Sequence, residues 1–346
     1  RLMQVWCECR CRMFHWQLLT AVASWLCLLI CVAVILGLFA LYFTTNPMPN
    51  LQWLDGEKTF LDPASGQRKN FPTIQDNASV YLSVIVPSYN EEERLPPMMD
   101  EALEYMEARR RKDPLFKYEV IVVNDGSTDK TTEVALRYSQ SHGTEKVRVL
   151  SLKKNRGKGG AVRRGMLCAR GRLLLFADAD GATKFSDIEK LENEVKNMES
   201  KLKEQGKTED QMLVVCGSRA HLEKQSIAQR SIFRTILMYG FHFAVWFLCV
   251  RGVKDTQCGF KLLTRPAAML LFHNMHVDRW AFDVDLLYLA QHFRIPISEV
   301  AVTWHEIEGS KVTPFWSWLQ MGRDLVLIRL RYLLGLWHIS DKPKIQ

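Results

Sequence analysis

Residues 173–181 read LLLFADADG: five apolar positions, then two carboxylates one residue apart and a glycine. A run this short and this apolar suits a strand buried on both faces, and the glycine marks the turn after it. The same figure recurs upstream. Val80 to Val86 runs into Pro87-Ser88-Tyr89-Asn90-Glu91-Glu92, and Tyr118 to Val123 into Asn124-Asp125-Gly126-Ser127-Thr128-Asp129. Val147 to Leu152 leads to Asn155-Arg156-Gly157-Lys158-Gly159-Gly160. Helix candidates fall between them at Arg94 to Arg111, Asp129 to Ser139 and residues 157–169, and Met212 to Cys216 is a further strand candidate. Strands alternating with helices predict an α/β fold, a mostly parallel sheet flanked by helices. Ligands of such sheets sit beyond the carboxyl ends of the strands, where the polar residues of all four segments fall.

The chain has 346 residues, 47% of them apolar and 24% charged. That composition requires a packed core and excludes a disordered or fibrous chain. Of nine cysteines, five lie within or before the apolar run of residues 18–43 and four are scattered, which is not a disulfide framework. Cys7, Cys9 and Cys11 suit a metal or fatty acylation beside a membrane, but no zinc-type CxxC pair accompanies them. The net charge is +8, and residues 146–172 hold ten basic side chains and no acidic one. Such a block favours a polyanion: nucleic acid, substrate phosphates or anionic lipid. Neither C2H2 spacing nor an RRM-like aromatic signature selects nucleic acid.

Residues 18–43 form 26 consecutive uncharged positions, enough to cross a hydrocarbon layer of roughly 30 Å. The run exceeds the 7–15 residues or so of a signal-peptide core, and no cleavage pattern follows Phe43. The expected organisation is a tail over 1–17, a transmembrane helix over 18–43, a linker over 44–79 and a catalytic body over 80–313. Residues 314–346 form a membrane-interfacial helical segment and tail, and residues 236–250 a second interfacial helix, both apolar and rich in aromatic side chains. Arg1, Arg10 and Arg12 precede the anchor and the nearest basic residue after it is Lys58, so local charge alone places the body across the membrane from the cytoplasm. The Asn77-Ala78-Ser79 sequon would matter on that far side. Phe185 to Gln211, with mixed charges, reads as a solvated helix and loop.

Each polar loop has a plain use and a chemical one. Asp178 and Asp180 can cap a turn, or offer hard oxygen ligands to a divalent ion that is held mainly by substrate phosphates. Asn124 to Asp129 can form an Asx turn with a helix cap, or aim Asp125 at a base or ribose. In residues 155–160, Arg156, Lys158 and glycine backbone can cradle a diphosphate. The GxGxxG and GxxxxGK[ST] fingerprints, the zinc-protease motif and the GxSxG elbow are all missing from the sequence.

Taken in order, SVIVPSYNEE (83–92), VIVVNDGSTD (120–129), NRGKGGAV (155–162) and FADADGAT (176–183) resemble the inverting nucleotide-sugar glycosyltransferases of family 2 with the GT-A fold. DTQCGFKL (255–262), RWAFDVDLL (279–287) and IEGSKV (307–312) resemble the branch of that family that glucosylates dolichyl phosphate at the endoplasmic reticulum. The resemblance implies transfer of glucose from UDP-glucose to dolichyl phosphate for protein N-glycosylation, with Mg2+ or Mn2+ as cofactor. It places Pro87, Tyr89, Glu91 and Asp125 around uridine, Lys158 on the diphosphate, and Asp178 and Asp180 on the metal, with Asp180 the stronger ligand. The catalytic centre would combine Asp180 with Asp255 and Gln257 near glucose and Arg219 on the acceptor phosphate, Arg230 and Arg234 being weaker alternatives for that phosphate. Asp283 and Asp285 are left for packing or for securing an active-site helix. The donor's supply implies a single-pass endoplasmic reticulum protein with its body in the cytoplasm, against the local charge rule, and Asn77 unglycosylated. No single residue separates glucose from mannose, and an inactive GT-A-like scaffold is the alternative of another class. Protein partners are not legible, and a homo-oligomer stays open.

Overall fold

The strands expected from the apolar runs become the centre of one sheet in the computed structural model, which describes residues 2–206, 211–222, 232–307 and 314–342. The central strands are β3 (Val80–Ser88), β4 (Tyr118–Asn124), β5 (Val147–Ser151) and β6 (Gly171–Ala177), with β7 (Val214–Ser218), β8 (Phe260–Thr264) and β9 (Ile297–Ala301) completing the sheet. The order is β5-β4-β3-β6-β8-β7-β9. β3 pairs parallel with β4 and β6, β4 with β5, and β7 with β9, while β8 runs antiparallel to both β6 and β7. The sheet is therefore mixed and mostly parallel. Its one reversal brings the start of β8 and the ends of β6 and β7 to the same edge as the ends of β3 and β4.

Helices cover both faces. On one side lie α2 (Leu95–Lys112), α3 (Thr131–His142) and α5 (Ile188–Glu204), sealing a core that includes Met99, Ala102, Ala135, Ile188 and Leu191. On the other lie α4 (Lys158–Leu167), α7 (Arg265–Asn274) and α8 (Phe282–His292), which bury Val162, Met166, Leu271 and Phe282. Gly165 lets α4 sit against β3 and β4, since a Cβ there would meet Val123 Cγ2 at 2.8 Å. α5, in the stretch read as a solvated helix and loop, is amphipathic, with Ile188, Leu191 and Val195 buried.

β8 was not legible as a strand because Lys261 interrupts it. The ammonium is fully buried and donates 2.6 Å bonds to Asp283 Oδ1 and the Cys258 carbonyl. The basic block also needs a correction. Arg148, Arg163 and Arg164 face inward, and they serve the fold instead of presenting charge to a polyanion. Arg148 pairs with the buried Glu119, which also accepts from Ser83 and Arg170. Arg163 caps the Met275 carbonyl at 2.5 Å and pairs with Asp278 at 3.0 Å.

The stretch read as a linker carries a hairpin, β1 (Thr59–Leu61) and β2 (Arg68–Asn70), and buries Phe60, Phe71 and Ile74 in the second core. Its Glu57 is buried and accepts from Leu54 N at 2.8 Å, Lys153 N at 3.0 Å and Arg156 NH2 at 2.7 Å. These donors and Arg156 pull the Glu57 carboxyl below its usual range, against the opposing effect of burial. Upstream, α1 (Leu2–Thr44) contains one stretch, Leu19–Thr44, long and apolar enough to cross a membrane. Its exit is gripped at the Pro47 carbonyl, which lies 2.9 Å from His338 N and 3.2 Å from His276 Nε2.

α6 (Ile232–Leu248) and α9 (Pro314–Leu333) pack on each other. Phe241, Val245, Met321 and Leu325 point inward, while Tyr239, Phe243, Trp246, Phe247, Leu319, Val326 and Leu333 are exposed.

Replacing Glu57 by Ala strands the Arg156 guanidinium, only 5% exposed, without its carboxylate. Loss of one partner of a buried pair costs about 3–5 kcal/mol. The thermal midpoint of solubilised Glu57→Ala should therefore fall by several degrees; an unchanged midpoint would show that the 44–79 stretch is not part of the folded body.

Candidate active site

Five segments meet at the carboxyl edge of the sheet. The first two are zipped together. After β3 the chain passes through Pro87 and Tyr89 to Asn90, whose φ of 55° turns it back. Asn90 Oδ1 accepts from Thr128 N at 2.8 Å, Asn90 N donates to Ser127 Oγ at 2.9 Å and Glu91 N to Thr131 Oγ1 at 2.7 Å. The Glu91 carboxylate grips Arg94 through two 2.7 Å bonds. The Asx turn expected after β4 is present, with Ser127 N on Asn124 Oδ1 at 2.9 Å.

Asp125 stands at the end of β4 and is buried. Its oxygens accept from Arg156 N at 2.7 Å and Gly157 N at 2.9 Å, so the basic glycine loop is folded around this carboxylate. Gly157, at φ 82°, cannot carry a side chain, because a Cβ would meet the Asp278 carbonyl at 2.7 Å. The Arg156 side chain departs from the diphosphate cradle read from the sequence, being turned to Glu57. Lys158, the first residue of α4, stays at the crevice.

β6 delivers the acidic pair. Lys158 Nζ lies 2.7 Å from Asp178 Oδ1 and 2.9 Å from Oδ2. Gly259 packs on the back of the Asp178 carboxylate so closely that any Cβ would collide with it, and its carbonyl accepts from Asp178 N at 3.1 Å. Sequence reading missed Gly259; its only signal was a glycine just before an apolar run. Asp180 Oδ1 accepts from Ala182 N at 3.0 Å. Burial, then the Asp178 charge beside it, push the Asp180 carboxyl above its usual range. For Lys158, burial acts downward, but Asp178 and Asp283 outweigh it and hold the ammonium above the ordinary lysine range.

The β7 and β8 ends supply the last group. Arg219 grips Asp255 with Nε on Oδ2 at 2.8 Å and NH2 on Oδ1 at 2.9 Å, and the Arg219 backbone N–H adds a third bond at 2.8 Å. Its guanidinium lies 5.5 Å from the Trp304 ring centre. Glu299, unread in the sequence, fixes this loop by accepting from Lys254 N at 2.8 Å and Asp255 N at 2.9 Å. Burial works against the Asp255 charge, yet Arg219 holds its carboxyl below the usual range. Both Asp255 oxygens are thus engaged by Arg219, where the resemblance had aimed them at glucose. Gln257 Nε2 reaches Met321 Sδ of α9 at 3.2 Å, which links the site to the exposed apolar helices. Asp283 and Asp285 lie beneath the site as packing residues, Asp285 accepting from His276 N, Val277 N and Tyr332. Arg230 and residues 308–312 of the IEGSKV segment lie outside the described residues, as does the side chain of Arg234.

The edge therefore gathers a buried acceptor at Asp125, a cation at Lys158, two adjacent carboxylates and a guanidinium held by Asp255. Among the described residues no three His, Cys, Asp or Glu side chains converge on one point. The acidic pair suits a hard cation that takes its other ligands from a phosphate-bearing substrate.

Residues 83–201 match the family described as Glycosyl transferase family 2. The chain is 58% identical over 313 residues to a dolichyl-phosphate β-glucosyltransferase of Homo sapiens, covering 90% of this chain and 94% of that protein. It is 55% identical to the protein of the same name in Drosophila melanogaster, covering 95% and 99%. Among solved structures, glucosyl-3-phosphoglycerate synthase from Mycobacterium tuberculosis is similar over 76% of this chain and 82% of that one, with 18% identity and a TM-score of 0.47.

Burial pushes the Asp125 carboxyl up to about 6, although Arg156 N, Gly157 N and nearby guanidinium charge pull the other way. An unfolded aspartate titrates near 4, so folding favours the protonated form. Its stabilising contribution is complete below about pH 4, is lost as the pH rises through about 6, and amounts to about 3 kcal/mol. Asp125→Asn removes this titration. Thermal midpoints compared between pH 4 and 7.5 should show wild type losing stability relative to the variant as the pH rises; parallel profiles would contradict the shift.

Proposed function

Because the chain belongs to the dolichyl-phosphate β-glucosyltransferases, within glycosyl transferase family 2, we propose that the carboxyl edge of its sheet is the place of glucosyl transfer. The protein transfers glucose from UDP-glucose to dolichyl phosphate, forming dolichyl β-D-glucosyl phosphate and UDP. The observation that carries the placement is the meeting of Asp125, Lys158, the Asp178–Asp180 pair and the Arg219–Asp255 pair at one edge.

In this reading uridine lies between the two zipped loops, against Pro87, Tyr89 and Glu91, and is read by the buried Asp125. The diphosphate then falls at the amino end of α4, where backbone N–H groups and the helix dipole favour anions and Lys158 adds charge. Asp178 and Asp180 face the same place. Two carboxylates held side by side, one of them pushed toward protonation by burial and then by the charge of the other, are a donor set that a cation relieves. Mg2+ or Mn2+ bound there, with Asp180 as the stronger ligand, would stabilise charge on the departing UDP.

The nucleophile is an oxygen of the acceptor phosphate, ionised near neutral pH, so the site needs no strong base. Arg219, its fork fixed by Asp255, keeps N–H donors beyond those that Asp255 uses, and we assign it to the acceptor phosphate. Gln257 stands between this pair and α9, positioned for glucose. Alignment of two anions across the anomeric carbon supplies the acceleration, and a single displacement inverts the α-linked donor to the β-linked product.

The acceptor's chain explains the apolar surfaces. Leu19–Thr44 of α1 spans the endoplasmic reticulum membrane, and the exposed apolar faces of α6 and α9 lie in its surface, with Gln257 on Met321 beside the lipid's phosphate. The body faces the cytoplasm, where the donor is supplied.

Purified full-length protein should move labelled glucose from UDP-glucose to dolichyl phosphate and leave GDP-mannose unused. Mannose transfer would assign it to another polyprenyl-phosphate transferase. Asp180→Ala should fold normally and lose activity at least about 100-fold, a loss on the scale of one electrostatic group in a transition state; undiminished turnover would remove Asp180 from the centre. Asn77 lies in an exposed sequon, so its glycosylation state reports topology. Protein expressed in microsomes should show no glycosidase-sensitive mass shift, and a shift that Asn77→Gln abolishes would place the body in the lumen.

A further inference from the structure

The geometry points to Lys158 as an internal stand-in for the donor's divalent cation: in the donor-free protein it occupies Asp178, and it is drawn off only when a diphosphate arrives. This rests on the reading that the acidic pair takes that cation. Three observations support it. Lys158 Nζ lies within 2.9 Å of both Asp178 oxygens. The pair is open to the crevice, the side chains being 20% and 31% exposed, so it is not locked in the core like Lys261 and Asp283. Gly259 closes the back of the Asp178 carboxylate, which leaves its oxygens only the crevice side on which Lys158 sits.

Lys158 is also an ammonium at the wrong end of a helix. Position one of α4 is where the macrodipole repels cations and attracts anions, so Lys158 is kept there by carboxylates. A diphosphate binding at that terminus competes for the same charge. Once Lys158 turns to it, the Asp178 oxygens are released beside Asp180 and a divalent ion can enter. Cation and nucleotide then bind with positive coupling, and by linkage each tightens the other equally. A free ion meets a site already neutralised, which keeps the donor-free enzyme from loading metal.

The test measures Mn2+ binding to purified full-length protein by electron paramagnetic resonance, with and without UDP. Wild type should bind Mn2+ weakly alone and at least about tenfold more tightly with UDP. Lys158→Met should bind Mn2+ alone about tenfold more tightly than wild type, and UDP should then add little. Should Lys158→Met lower the thermal midpoint, Lys158→Gln serves in its place with the same expectation. A variant whose donor-free Mn2+ affinity equals or falls below that of wild type, while wild type still responds to UDP, overturns the stand-in role alone. Wild type that binds no Mn2+ even with UDP overturns both this inference and the metal reading beneath it.

Discussion

A carboxylate at the buried end of a central strand must be met by N–H donors, and this requirement organises the site around Asp125. Its oxygens take the Arg156 and Gly157 amides, which sets the path of the glycine loop and hence where α4 and Lys158 begin. Its own amide bonds the Ser88 carbonyl of β3 at 2.9 Å, tying two neighbouring strand ends together. The loop's remaining charge, the Arg156 guanidinium, is satisfied by Glu57 from the stretch that follows α1. The segment that follows α1 is thereby part of the candidate site, and distortion at Glu57 has a direct route to Asp125.

Charge at the adjacent strand ends alternates with depth. Asp178 faces the crevice, Lys158 binds it, Asp283 lies within electrostatic reach of Lys158, and Lys261 closes the series against Asp283 and the Cys258 carbonyl. Buried ions are tolerated only when each has a partner. The deep pair is sealed, whereas the outer pair opens to the crevice. Gly259 makes the arrangement possible, since no other residue leaves room for the Asp178 carboxylate.

The central strands were legible because short, mostly apolar runs ending in polar loops at regular intervals have few other interpretations. The same rule hid β8, where Lys261 breaks the apolar run and its neutralising partner Asp283 lies 22 residues away. It also misread Arg148, Arg163 and Arg164, since a count of charges cannot show that each will be buried against a carboxylate or a carbonyl. Among the residues gathered at the candidate site, Asp125, Lys158, Asp178 and Asp180 stand out in the sequence by their strand-end positions. Glu57, Gly259 and Glu299 were not, because their roles depend on segments distant in sequence. The 44–79 stretch looked like a linker on its Pro, Asn and Asp content, yet Phe60, Phe71 and Ile74 anchor it in the core.

The central claim is that the donor nucleotide lies between the zipped loops against Asp125. It is tested most directly by photolabelling full-length protein with a 5-azidouridine analogue of UDP-glucose and mapping the modified peptide. The account predicts label within residues 87–94 or 124–130, removed by excess UDP. Label that UDP displaces but that maps to the cavity below α1, lined by Asn50, His273 and His338, would contradict it.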